Sequence, residues 1–326
     1  MVVKRHREYC WVRLDAEAGA APSVVIAKPR GRLEQEARTA QRRAREAGEL
    51  ERITAQQLAP GDRVRLSPPP DAGQDAHWTL EAALERETWL IRKSEGRYSR
   101  KAQLVVANAD QLAVVVAPNP EIRLGTVDRY FLAAMQGGLE PLLVVNKLDI
   151  APDLAGRPEI TNYRDLGYRV FFTDARHGAG VEALRPALAG RLTAFCGHSG
   201  VGKSTLLSRL TGLELKAGAV RERDQKGRQT TVTAEAYPLP GGGDVVDTPG
   251  VREFGLAHLT WLDVHEYFSD IANLTLRCAF ADCTHTVEPG CAVLAAVAAG
   301  RLAAGRVESY RRLRAEAEAA ARDYRA

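Results

Sequence analysis

The stretch LTAFCGHSGVGKSTLLSRL, Leu192 to Leu210, reads as a buried strand, a glycine-bearing turn and the start of a helix. Its centre, Gly197-His198-Ser199-Gly200-Val201-Gly202-Lys203-Ser204, fits G-x-x-x-x-G-K-[ST], a loop whose backbone N–H groups wrap phosphate at a helix N-terminus. In that geometry Lys203 reaches the β- and γ-phosphates, Ser204 ligates Mg²⁺, and Thr205 completes the nucleotide-binding run. A plain strand-to-helix turn would give no reason for the lysine.

Working outward, the ligand's base is read upstream. Asn146-Lys147-Leu148-Asp149 closes the apolar run PLLVV, at the carboxyl end of a predicted parallel strand, where open α/β sheets bind ligands. Asp149 there accepts from the N1–H and N2 amine of guanine, so the nucleotide pair expected is GTP and GDP. A second strand end, Phe171-Phe172-Thr173-Asp174-Ala175, is the natural partner on the guanine O6 side, through the Ala175 backbone N–H. Downstream, GGGDVVDTPG ends another strand: Asp247 holds Mg²⁺ through water and the Gly250 N–H faces the γ-phosphate. Between these elements lies KGRQTTVTAEAY, where Thr230 or Thr231 closes the magnesium shell.

The order is unusual. In ordinary GTPases the phosphate loop comes first and N-K-x-D late, whereas here NKLD precedes GHSGVGKS, QTT and DTPG, so the domain reads as circularly permuted. Permutation keeps the site and moves the chain ends. The DTPG loop therefore runs almost directly into the C-terminal zone. There Cys278-AFAD-Cys283-T-His285-TVEPG-Cys291 supplies three thiolates and an imidazole, the ligand set of one closed, structural Zn²⁺ site. The other cysteines, Cys10 and Cys196, fall in predicted strands as small core residues.

The wider texture gives three zones and a multidomain fold. Residues 1–102 hold short apolar runs (CWVRL, SVVIA, DRVRL, TWLIR) parted by turn material, as in a small β-barrel, with an arginine-rich insertion at about 31–52. Residues 103–255 alternate apolar runs and helical segments, the pattern of a central α/β phosphate-loop domain with a parallel sheet. Residues 256–326 are mostly helical and carry the cysteine cluster. With 326 residues, 45% hydrophobic content and no apolar run long enough to span a bilayer, the chain reads as cytoplasmic with no membrane partner. Arginines cluster at 30–52 and 301–325, either as solvated helix faces or as a nucleic-acid surface.

The order NKLD, GHSGVGKST, GRQTT and DTPGVREFGL, followed by CAFADCTHTVEPGCAV, resembles the ribosome small-subunit-dependent GTPase A family. That resemblance implies an N-terminal OB-fold barrel, a permuted GTPase domain and a C-terminal zinc-binding helical domain. It implies a protein that is monomeric off the ribosome, binds the small subunit and its rRNA late in assembly, hydrolyses GTP faster there and then leaves. Gln229 stands where the family has a histidine implicated in hydrolysis, and the expectation is that Gln229 positions the attacking water. Val251 follows DTPG where many GTPases carry a water-orienting glutamine, so unaided turnover should be slow. A nucleotide-gated RNA-binding scaffold with incidental hydrolysis is the rival reading, and NKLD disfavours an ATP-driven enzyme.

Overall fold

The computed structural model describes residues 1–6, 9–15, 23–30, 57–70, 77–93, 102–215, 234–248 and 260–323. Its centre is a parallel run of strands in the order β10 (Arg169–Phe172), β9 (Glu140–Val145), β8 (Gln111–Val116), β11 (Leu192–Gly197) and β13 (Asp244–Asp247). Antiparallel β12 (Glu235–Pro238) follows at the edge of this run. These strands are near-continuous apolar runs because both faces are covered. Along β8, Leu112, Val114 and Val116 point into one cluster while Ala113 and Val115 point into the other, and β9 and β11 alternate in the same way.

One face is covered by α3 (Val181–Leu188) and α4 (Lys203–Thr211), through Leu184, Leu188, Leu206 and Leu210. The other carries α1 (Leu124–Gln136), a 3-10 turn at Pro152–Gly156 and α2 (Pro158–Asp165). Against that same face lie the C-terminal helices α5 (Trp261–Tyr267), α6 (Ser269–Thr275), α7 (Ala292–Ala298) and α8 (Ala304–Asp323). Val264, Ile271, Val293 and Tyr310 belong to one contiguous core with Val114 and Leu143 of the sheet. The C-terminal zone therefore shares apolar burial with the nucleotide fold.

A polar seam fixes that packing. Arg306 on α8 is 3% exposed and donates to Asp128 Oδ1 of α1 at 2.7 Å, while Tyr163 and Tyr267 hydroxyls donate to the same oxygen at 2.9 and 2.8 Å. The guanidinium also reaches Asp270 at 3.2 Å and lies over the rings of Tyr267 and Phe268, 4.7 and 4.1 Å from their centroids. Burial pushes both tyrosine hydroxyls well above their ordinary range, so they stay donors. An arginine counted in a surface cluster from sequence is thus an internal cation, chosen for its planar fork and its stacking faces.

The N-terminal strands β1 (Val2–His6), β2 (Tyr9–Arg13), β3 (Val24–Pro29), β4 (Val64–Ser67) and β5 (Trp78–Ala83) run in the order β1-β2-β3-β5-β4. They continue the central sheet through a β1–β12 pairing at Lys4 and Glu235. Arg13 reinforces the join with two bonds of 2.5 Å to the Asp244 carboxylate. Trp89–Lys93 (β6) stands apart in a hairpin with Ala102–Ala107 (β7), its Trp89 N–H bonded to Gly137 O at the end of α1. The arginine-rich insertion at 31–52 lies outside the described residues.

Truncating one partner of a buried ion pair strands the other charge, at a cost of about 3–5 kcal/mol. Arg306→Ala is expected to lose about that much stability in urea unfolding followed by tryptophan fluorescence. The Asp128→Leu, Arg306→Met double variant, which leaves no charge at the Asp128 position, is expected to lose less.

Candidate functional site

The loops at the carboxyl ends of β9, β10 and β11 meet on one buried side chain. Asn146, 1% exposed, donates through Nδ2 to the Val201 carbonyl at 2.9 Å. Its Oδ1 accepts from Thr173 Oγ1 and from the Ala175 N–H, both at 3.0 Å. One donor and both acceptor directions of the carboxamide are used inside the protein, so these three loops hold one relative position. The Ala175 N–H, expected at guanine O6, is engaged by Asn146 here, and contact with O6 would be shared with that carboxamide.

The phosphate turn follows directly. Gly197 ends β11, and His198 to Gly202 form the turn before Lys203, Ser204 and Thr205 open α4. Gly202 is left-handed at φ 89°, and a Cβ there would lie 2.4 Å from Asn146 Nδ2. Glycine is required at that position both for the backbone angle and for the close approach of the guanine-side loop. Lys203 Nζ forms an ion pair with Asp247 at the end of β13 and donates to the Thr248 carbonyl at 2.8 Å. The lysine and the carboxylate expected at the magnesium thus sit side by side, at the N-terminal end of α4.

At the opposite rim, Lys147 is left-handed at φ 64° and donates to Asn119 O at 3.0 Å, while Asp149 is exposed. Asp174 is almost covered. Its Oδ1 accepts the Arg176 and His177 N–H groups at 3.1 Å each, and its Oδ2 lies 2.6 Å from His177 Nδ1. Although burial opposes it, the hydrogen bonds from His177 hold the Asp174 carboxyl below its usual range. Gln229, Thr230, Thr231 and Gly250 lie outside the described residues.

The four residues with zinc-ligand spacing come together. Cys278 Sγ lies 3.7 Å from His285 Nδ1 and 3.9 Å from Cys291 Sγ, and His285 Nδ1 lies 3.4 Å from Cys291 Sγ. Cys283 completes the group, all ligand atoms falling within 4.8 Å of one another. A tetrahedral zinc with ordinary bond lengths separates sulfur from sulfur by about 3.8 Å and sulfur from nitrogen by about 3.6 Å. The donor set and its spacing fit such an ion. Burial pushes the Cys283 thiol up to about 11 and lowers the His285 imidazole, which favours the neutral ring that ligates. Cys10 and Cys196 are both fully buried in strands, away from this group.

Residues 83–257 match the RsgA GTPase family. The small ribosomal subunit biogenesis GTPase RsgA of Chlorobaculum tepidum is 41% identical over 258 residues, 78% of this chain and 83% of that protein. The chain belongs to the RsgA GTPase family. The corresponding protein of Azotobacter vinelandii is 40% identical over 262 residues, 78% of this chain and 74% of its own. YjeQ from Thermotoga maritima is similar in structure, with TM-score 0.64 and 29% identity, covering 97% of this chain and 96% of that one. The fold is also that of YloQ, a circularly permuted GTPase, at TM-score 0.61 and 23% identity, covering 97% and 93%.

As an RsgA-family GTPase, the chain places its permuted elements around an undisturbed sheet: NKLD follows β9 and the phosphate turn follows β11, while β8 lies between those two strands. Two functional features escaped sequence reasoning. His177 carries a signal only in retrospect, three residues after an aspartate and one before a glycine. Arg306 and Asp128 carry none, since each sits in a helix among other charges.

Asn146→Ala removes the knot and leaves buried partners unpaired. A drop of about 10- to 100-fold in GDP affinity is expected by fluorescent-nucleotide titration, with the circular dichroism of the fold retained.

Proposed function

We propose that this chain is a GTP-driven late assembly or release factor of the small ribosomal subunit, stimulated by that subunit and in contact with its rRNA. The observation that carries the reading is the pairing of family membership, with relatives named for small ribosomal subunit biogenesis, and a guanine-type rim joined through Asn146 to a phosphate turn.

In this reading GTP lies across Gly197 to Thr205, its guanine against Asn146, Lys147, Asp149 and the Thr173-Asp174-Ala175 loop. Lys203 exchanges its bond to Asp247 for the β- and γ-phosphates. That exchange frees the Asp247 carboxylate beside the Ser204 hydroxyl, a hard oxygen pair suited to Mg²⁺. Bound Mg²⁺ would neutralise charge on the phosphates. Thr230 or Thr231 completes its shell, Gly250 senses the γ-phosphate and Gln229 orients water. The chain holds few groups of its own for that last task, so subunit contact completes the site.

Support for a closed OB-like barrel within residues 1–102 comes from two facts. Val2 exchanges backbone bonds with Gly61 and Asp62, just before β4, at 2.9 and 2.8 Å. Val2, Cys10, Val12, Ala27 and Leu80, with Val64 and Leu66, share one apolar interior. Such a barrel is a common RNA platform. Residues 103–255 then form the GTPase domain and 256–326 the helical domain, stapled by Zn²⁺ on Cys278, Cys283, His285 and Cys291. The zinc would hold the turn between α6 and α7 in place. Among the described residues no helix is long and apolar enough to cross a membrane. A cytoplasmic protein, monomeric off the ribosome, completes the proposal.

The test is GTP hydrolysis with and without purified small subunits. A stimulation of at least about tenfold is expected, of the kind given when a partner completes a GTPase site. Equal rates would refute subunit-dependent catalysis.

A further inference from the structure

Asp149 and Asp174 are an awkward pair. Their carboxylates lie within 4.8 Å of each other, one at the exposed rim and the other 8% exposed. Like charges at that separation repel, and the more mobile of the two is the one displaced. Asp174 is not the mobile one, because two backbone N–H groups and the Asp174–Ala179 bridge fix it. The repulsion therefore falls on the position of Asp149, the carboxylate that accepts two donors from guanine.

His177 answers this constraint. Its Nδ1 stands 2.6 Å from Asp174 Oδ2, on the side that the backbone donors leave open, and a ring nitrogen also falls within 4.8 Å of the Asp149 carboxylate. Its side chain is 62% exposed, so no packing reason holds it there. Arg209, a cation with bonds to this loop, is turned to the Ala175 and Arg176 carbonyls.

We propose that His177 is a positioning residue for guanine selectivity: by donating to Asp174 it draws that carboxylate's charge away from its neighbour and leaves Asp149 aligned for the base. The inference rests on Asp149 reading guanine. It assigns to the loop after β10 a task besides touching the base, namely setting the position of the carboxylate that reads it.

The experiment compares GDP and inosine diphosphate, which lacks the N2 amine and makes one fewer bond to Asp149. His177→Ala is expected to weaken GDP about fivefold, the scale of one net hydrogen bond to a carboxylate, and to weaken inosine diphosphate less. In an Asp174→Ser background, where the carboxylate that needed offsetting is gone, adding His177→Ala should change GDP affinity by less than about twofold relative to Asp174→Ser alone. Unchanged GDP affinity in His177→Ala would overturn the inference. So would equal losses for the two nucleotides, or a full further loss when His177→Ala is added to Asp174→Ser. Asp149→Asn separates the two levels: if it binds GDP as tightly as the parent chain does, the guanine reading itself fails. If it loses GDP while His177→Ala does not, only the role of His177 fails.

Discussion

A single buried carboxamide organises this molecule's chemistry. Asn146 bonds the Val201 carbonyl in the phosphate turn and both Thr173 and Ala175 in the loop after β10. These partners are 27 to 55 residues away in sequence, and their common meeting point exists only because β8, β9, β10 and β11 are parallel neighbours. The geometry of the knot also dictates Gly202, since any side chain there would collide with it. Circular permutation leaves such a site intact because the bonds depend on strand order in space and are indifferent to where the chain starts.

What permutation changes is the neighbourhood. The C-terminal helices pack on the face of the sheet that α1 also covers, and the Arg306–Asp128 pair fixes α8 to α1. Helix α1 leaves the β8 strand end, next to the phosphate turn, so the seam and the nucleotide loops share one rigid support. The convergence of three donors on Asp128 Oδ1 makes the seam specific in geometry, and truncating either side strands a charge. The zinc-type cluster extends the same core outward, with Cys283 and Cys291 packed against it. The proposed coupling of nucleotide state to subunit binding would act through this seam.

Much of the nucleotide fold was legible because its signals are local. LAVVVA, PLLVV and LTAFC are short apolar runs of strand length, and each ends where a polar, glycine-bearing loop must start. The four residues of the zinc-type cluster were legible from spacing as a group, since soft donors so near one another in sequence have few other uses. Arg306 was not, because a helix in an arginine-rich tail gives no hint of which cation turns inward. That choice depends on Asp128, 178 residues away. The partner strands of the N-terminal region were equally hidden: TWLIR reads like its neighbours but pairs with β7, because pairing is set by contacts that no local window contains.

The central claim is that nucleotide state, read at a site whose base and phosphate loops are tied by Asn146, governs the grip on the small subunit. Sedimentation of the purified chain with small subunits tests it most directly, in a non-hydrolysable GTP analogue and in GDP. The account predicts that the chain pellets with subunits in the analogue and stays in the supernatant in GDP. Equal pelleting in both nucleotides would contradict it.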